Sequence, residues 1–214
     1  MKAFLMAAGR GTRLRPLTDT RPKCLLPIHG KPLLAIWLDL LARHGVSGVM
    51  INTHHHANQV ERFLTGYVRH RELAIQTVHE PHLLGSGGTL AKNRDFVADD
   101  EDFVIAYADN LTNLNLSEMV DIHDKFRSMG GIMTMGLIRA PEPKQCGIVT
   151  LAPDARIIRF VEKPDEPESD LANGGIYIAN RRIFDYFSNH GVNEGHVLDL
   201  GHHILPRLVG HMYG

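Results

Sequence analysis

The chain has few of the features that assign a class at sight. It holds two cysteines in 214 residues, Cys24 and Cys146, far apart in sequence. They read as free thiols rather than as a disulfide scaffold. Cys24 lies beside Lys23, which leaves a reactive thiol as an alternative. Neither sign of charge is in excess. The net charge is −1, which argues against nucleic acid or an anionic membrane as a whole-protein partner. No apolar stretch reaches the ~18 residues of a membrane span, and the N-terminus lacks the charged, apolar and small-residue succession of a signal peptide. The expected location is cytoplasmic, and the Asn-x-Ser/Thr matches at Asn110 and Asn115 read as chance.

Two nucleotide motifs are also missing. A dinucleotide fingerprint needs a third glycine three positions after the second, where this chain has Leu14. A P-loop needs four residues between its glycines and then Gly-Lys-Ser/Thr. Here one residue separates Gly9 from Gly11, and no such tripeptide follows.

What is present begins with a buried parallel strand, Ala3 to Ala8. It runs into Gly9-Arg10-Gly11-Thr12-Arg13-Leu14-Arg15-Pro16, and then Arg21-Pro22-Lys23-Cys24. Two glycines and several cations after a strand suit a polyphosphate. The glycines admit backbone N–H groups close to the oxygens, and Arg and Lys supply charge and donors. Strands and helices then alternate: a helix from Lys31-Pro32 to His44-Gly45, a strand over 46–51, a helix over 57–68 and a strand over 73–78. This rhythm predicts an α/β fold, Rossmann-like, with three αβα layers and a mixed, mainly parallel central sheet. Ligands of such sheets bind beyond the carboxyl ends of the strands, where the first loop lies. Adjacent residues do not share a face, so His54-His55-His56 makes a poor metal cage and reads as a loop entering a helix. His202-His203 reads the same way.

The run Ala7-Ala8-Gly9-Arg10-Gly11-Thr12-Arg13-Leu14, then Pro16-Leu17-Thr18, Pro22-Lys23 and Leu26-Pro27, resembles the signature of sugar-1-phosphate nucleotidylyltransferases. Within that family the mannose- and heptose-1-phosphate guanylyltransferases look most similar. The resemblance implies a GT-A-like nucleotidyltransferase fold over residues 1–214. It implies that Ala8, Gly9, Gly11 and Thr12 wrap a triphosphate, that Arg13 contacts the departing pyrophosphate and that Lys23 contacts the phosphates.

Later segments extend the resemblance. A strand over 102–108 ends in Asp109-Asn110, where the family places its Mg²⁺-binding aspartate. The resemblance assigns the metal to Asp109 and sugar-phosphate contacts to Asn110. Mg²⁺ favours a few carboxylates plus substrate phosphates. After a helix over 116–129 and a strand over 132–138, Glu162-Lys163-Pro164 matches the sugar-phosphate motif. The lysine there holds the sugar 1-phosphate and the glutamate bonds sugar hydroxyls. Gly147, Asn173 and Gly175 match positions that line the sugar pocket. Helices are expected over 181–188 and 197–209. Family members continue into a strand with a second metal-sharing aspartate, so the chain reads as one domain lacking a C-terminal segment. Asp199, inside a helical pattern, is a weak substitute.

Glu80 and Gly85 belong to a second glycine-rich stretch, Glu80 to Leu90, which resembles the base-recognition segment. Some members read uracil or thymine with a glutamine at the position of Glu80. A carboxylate only accepts hydrogen bonds. Guanine offers N1–H and N2–H₂ side by side, whereas uracil offers one N–H between two carbonyls. This favours GTP as the donor.

The expected activity is transfer of a nucleotidyl group from an NTP to a sugar 1-phosphate, with Mg²⁺, giving a nucleotide-sugar of the kind used for cell-envelope polysaccharide. Arg13, Lys23, Asp109 and Lys163 are the candidate catalytic residues. The alternatives are a UTP- or dTTP-using member acting on another sugar 1-phosphate, and a non-catalytic nucleotide-sugar sensor. Homo-oligomerisation is left open.

Overall fold

The computed structural model describes residues 1–67, 72–187 and 197–214. The chain divides into two compact units, Met1–Leu83 with Ile105–Leu116, and Leu84–Val104 with Ser117–Gly214. The fold is α/β with a mixed, mainly parallel sheet and helices, as the sequence predicts.

The first unit opens with β1 (Lys2–Met6). Next comes a hairpin of β2 (Pro27–Ile28) and β3 (Lys31–Pro32), in which Pro27 pairs with Pro32 and Ile28 with Lys31. The helix expected to start at Lys31 therefore starts two residues later, as α1 (Leu33–Arg43). The cause is the turn: His29 and Gly30 have φ of 48° and 79°, the left-handed pair that closes a two-residue hairpin. Helix α1 buries Leu34, Trp37, Leu38 and Leu41. It ends as the sequence suggests, with Gly45 at φ 72° and Val46 N–H donating to Leu41 O at 3.0 Å.

Strand β4 (Gly48–Thr53), helix α2 (Ala57–Gly66) and strand β5 (Ala74–His79) follow. β1 pairs with β4, and β4 with β5, both in parallel. β4 is buried along its whole length, which explains its unbroken apolar run. β5 is largely exposed and sits at the end of the order β1-β4-β5. Val68, the expected end of the second helix, lies outside the described residues.

The division between units falls within β6 (Asp102–Tyr107). The second unit contains α3 (Gly85–Lys92), α4 (Leu116–Ser128) apart from its first residue, β7 (Met133–Arg139), β8 (Gly147–Leu151), β9 (Ile157–Glu162), β10 (Leu171–Asn180) and β11 (Met212–Tyr213). β7 pairs antiparallel with β10 and parallel with β11, and β8 pairs antiparallel with β9.

The two helices expected near the C-terminus are not regular α-helices. Arg181–Phe187 is a 3₁₀ segment, and the expected end at Ser188 lies outside the described residues. Over 197–209 the chain makes one wide turn, Leu200–Ile204, and then a 3₁₀ turn, Leu205–Leu208. Asp199 caps the first turn by accepting from His202 N–H at 3.0 Å. Pro206 has no N–H to continue the ladder.

No helix among the described residues is long and apolar enough to cross a membrane.

Candidate active site

In the first unit the candidate residues gather at the carboxyl ends of the parallel strands. Met6, the last residue of β1, is level with Asn52 near the end of β4, and Thr53 is level with His79 at the end of β5. The first loop leaves this edge at Ala7. Ala7 N–H donates to Asn52 Oδ1 at 2.7 Å, and Asn52 Nδ2 donates to Glu80 Oε1 at 2.9 Å. Glu80 N–H donates to Thr53 O at 2.8 Å. Glu80 is only 2% exposed, so a buried polar chain links the start of the loop to the carboxylate after β5. Asn52 is a residue that the sequence reading missed. Its signal was a lone amide closing an otherwise apolar strand, Val49-Met50-Ile51-Asn52.

Beyond Ala7 the loop opens. Gly9 is exposed, with nothing within 4 Å of where a Cβ would stand. Gly11 is different. Its φ is 65°, and a Cβ there would lie 2.8 Å from Thr18 Cγ2 and 3.2 Å from Lys23 Cβ. Both conformation and space demand glycine. Thr18 is buried and donates from Oγ1 to Gly11 O at 2.8 Å. Thr12 and Arg13 lie in a 3₁₀ turn, Thr12–Leu14, which holds no buried residue.

Asp109 stands two residues beyond β6. The chain there is fixed by Ala108 N–H donating to Met6 O at 2.9 Å, by Asn110 N–H donating to Tyr107 O at 3.1 Å, and by Trp37 Nε1–H donating to Asn110 O at 2.8 Å. Lys23 Nζ forms an ion pair with Asp109 Oδ2. This joins two candidate residues 86 positions apart, and their side chains remain 24% and 35% exposed. Cys24, next to Lys23, is buried, and that burial pushes its thiol up to about 12. The thiol is therefore protonated and inert at neutral pH, which corrects the reactive alternative.

Among the described residues no three His, Cys, Asp or Glu are grouped to hold a metal. Asp109 is a single carboxylate already drawn to a cation. That donor set fits an ion whose remaining ligands come from substrate phosphates and water.

In the second unit Glu162 closes β9 opposite Gly147 of β8. A Cβ on Gly147 would lie 2.7 Å from Glu162 Oε2, and one on Gly201 would also lie 2.7 Å from it. The Glu162 carboxylate thus occupies space left by two absent side chains. Lys163 follows with φ 46°, its N–H donating to Cys146 O at 3.1 Å. Its Nζ is 3.6 Å from Glu162 Oε1, and its side chain is 53% exposed. Asn173 serves its own strand. Its Nδ2 donates to Tyr177 OH at 2.7 Å, and its Oδ1 accepts from Gly175 N–H at 2.9 Å. These bonds hold the bulge of β10 between Asn173 and Tyr177, where Gly175 takes φ 70°.

Gly85 also has an internal duty. Its φ is 78°, and a Cβ there would lie 2.8 Å from Leu198 C. Leu198 N–H donates to Leu84 O at 2.8 Å, and Gly88 N–H donates to Leu198 O at 2.9 Å. Ser86 Oγ donates to Asp199 Oδ2 at 3.3 Å and accepts from Leu200 N–H at 2.8 Å. The second glycine-rich stretch therefore receives the chain's own 197–200 segment. Asp199 is engaged as a cap and as the acceptor for Ser86 rather than as a free metal ligand.

Comparison with known proteins gives the family. The family model described as nucleotidyl transferase matches residues 2–213. A UTP–glucose-1-phosphate uridylyltransferase of Synechocystis is 34% identical over 98% of this chain, and a mannose-1-phosphate guanylyltransferase of Mycobacterium tuberculosis is 31% identical over 97% of it. The chain spans 55% of the length of each. Among solved structures, a Bacillus anthracis protein described as a candidate glucose-1-phosphate thymidylyltransferase matches with a TM-score of 0.82 and 25% identity, covering 100% of this chain and 85% of that one. The chain belongs to the nucleotidyl transferase family.

Proposed function

We propose that this chain transfers a nucleotidyl group from an NTP to a sugar 1-phosphate, releasing pyrophosphate. GTP is the favoured donor and a mannose- or heptose-type sugar the favoured acceptor. The product would feed cell-envelope polysaccharide synthesis in the cytoplasm. The observation that carries the reading is the Lys23–Asp109 pair beside an open glycine loop at the carboxyl edge of parallel strands.

An oxygen of the sugar phosphate attacks the α-phosphorus of the NTP, and the bond to the pyrophosphate oxygen breaks. The nucleophile is already an anion, so no side chain needs to take a proton. The task is to position two anions and neutralise their charge. Lys163 holds the attacking phosphate, with Glu162 beside it on the sugar hydroxyls. Gly147 leaves the room that Glu162 needs. Arg13 and the N–H groups of Gly11 and Thr12 receive the leaving pyrophosphate, flanked by Ala8 and Gly9. Lys23 contacts the phosphates, releasing Asp109 as they arrive. Asp109 would hold Mg²⁺ together with the phosphates, and Asn110 would contact the sugar phosphate; the ion supplies charge neutralisation at the α-phosphorus.

Glu80 is assigned to the base. Its buried carboxylate, one oxygen already held by Asn52, is an acceptor that suits guanine better than uracil. The uridylyltransferase relative favours a second reading, with UTP as donor. Pyrophosphate release with Mg²⁺, five NTPs and a panel of sugar 1-phosphates separates the two. Turnover with GTP that shifts toward UTP in Glu80→Gln supports the first. Turnover with UTP alone removes Glu80 as a guanine reader. No turnover with any pair, by this chain and by a version extended through the aspartate-bearing strand of the family, moves the reading to a nucleotide-sugar sensor.

A further inference from the structure

Each of the three adjacent histidines sets a ring nitrogen against a backbone carbonyl. His55 and His56 both turn their rings toward the far half of the first loop. His55 Nε2 donates to Thr18 O at 3.0 Å, and His56 Nε2 donates to Asp19 O at 3.1 Å. Gln59, in the first turn of α2, donates from Nε2 to Thr20 O at 2.8 Å. Carbonyl oxygens only accept, so each histidine carries its proton on Nε2. Three consecutive carbonyls are thus held by three side chains of one short segment. His56 adopts φ 52° in doing so. A bulky residue keeps that conformation only where its surroundings fix it.

The held segment bears directly on the glycine loop. Thr18 donates to Gly11 O, and its methyl fills the space beside Gly11. Asp19 pairs with Arg15 at 3.1 Å. A Cβ on the same Gly11 would also meet the Cβ of Lys23, so Lys23 packs directly beside this glycine. A path of direct contacts therefore leads from His55, His56 and Gln59 through Thr18 and Asp19 to the groups assigned to the triphosphate.

We infer that His55, His56 and Gln59 are positioning residues for the NTP. They latch the segment 18–20 and so set the shape of the loop around Gly11 and Lys23, without touching the nucleotide. The inference rests on the proposed function, because it supposes that this loop wraps a triphosphate.

The test uses the full chain, GTP and UTP with Mg²⁺, and a turned-over sugar 1-phosphate. His55→Leu removes a donor, and His55→Gln restores one at similar reach. His56→Asn tolerates the left-handed backbone but falls short of Asp19. Gln59→Leu, on a partly exposed face, has the least effect on folding. The latch predicts that His55→Leu, His56→Asn and Gln59→Leu each raise the NTP Kd and KM, about tenfold for the strongest. The sugar-phosphate KM should stay within about twofold by the same reasoning, and His55→Gln should recover most of the loss. Amide exchange over residues 11–23 should quicken in the same variants. Equal losses for both substrates, or a lowered melting temperature with unchanged NTP affinity, would overturn the latch. A wild-type chain that binds neither GTP nor UTP overturns the reading of the site itself, and the latch with it. A wild-type chain that binds NTP as tightly as its variants overturns the latch alone.

Discussion

The two glycine-rich loops look alike in the sequence and differ in what fills them. At Gly9 the space beside the backbone is open. At Gly85 and Gly87 it is taken by Leu198, whose backbone exchanges hydrogen bonds with Leu84 and Gly88. Glycine allows close approach in both places, but the approaching group differs. The first loop is open at Gly9, whereas the second is packed by its own chain. The ionised groups divide similarly. Lys23 and Asp109 are paired yet accessible, and Asp102 is locked into a buried cluster in the second unit.

The largest effect is expected where an open group meets substrate. Lys163 is half-exposed, and its own unit gives it little to do beyond a 3.6 Å approach to Glu162. Lys163→Ala should lower kcat/KM by about 10²–10³-fold, with NTP affinity nearly unchanged. Steady-state kinetics with each substrate varied, together with direct NTP titration, measures the split. Collapse of NTP binding would instead make Lys163 part of the nucleotide site.

The glycines give the sharpest contrast. Gly85→Ala adds a Cβ at positive φ against Leu198 and should destabilise the fold by about 3 kcal/mol in urea unfolding. Gly9→Ala meets no neighbour, so stability should move by less than about 0.5 kcal/mol. Its cost should fall on the NTP KM if, as proposed, phosphate oxygens approach this loop. If Gly9→Ala left the NTP KM unchanged while Gly85→Ala raised it without loss of stability, the two loops would have their roles reversed.

Much of this was legible in the sequence. The apolar runs of β1, β4 and β6 are continuous because the strands are buried, and Asp109 closes such a run. The first loop was marked by its cations as much as by its glycines. Long-range occupancy was not legible. Nothing local in Gly85-Ser86-Gly87-Gly88 announces Leu198, more than a hundred residues away. The bonds of the Asn173 amide to Tyr177 and Gly175 were not legible either. Lys31-Pro32 has the look of a helix start because proline suits the first helical turn, and only the pairing with Pro27-Ile28 reveals a strand. The 197–209 pattern is helical in its apolar spacing, but Pro206 and the Asp199 cap divide it into turns. His54-His55-His56 reads as a loop entering a helix, and nothing local announces that the carbonyls held by His55 and His56 lie 37 residues earlier.

A smaller effect separates the closed ion cluster from the open pair. Asp102 Oδ1 accepts from Asn180 Nδ2 at 2.8 Å and lies 3.3 Å from His123 Nε2, while Oδ2 lies 3.0 Å from Arg127 Nη1. Burial alone would raise its pKa. The approach of His123 at 3.3 Å, the hydrogen bond from Asn180 and the charge of Arg127 outweigh that, and hold it below its ordinary 3.8. A carboxylate depressed in the fold contributes stability above its unfolded value, and loses it as pH falls through the folded value. Asp102→Asn should therefore cost about 1–3 kcal/mol at pH 7. The gap from wild type should narrow only once the pH drops below 3.8. Lys23→Met, which breaks the accessible pair, should change stability by less than about 1 kcal/mol at pH 7. Urea unfolding of both variants from pH 7 to pH 3 makes the comparison. A Lys23→Met cost matching that of Asp102→Asn would make the open pair a structural element, leaving less of it available to exchange with a ligand.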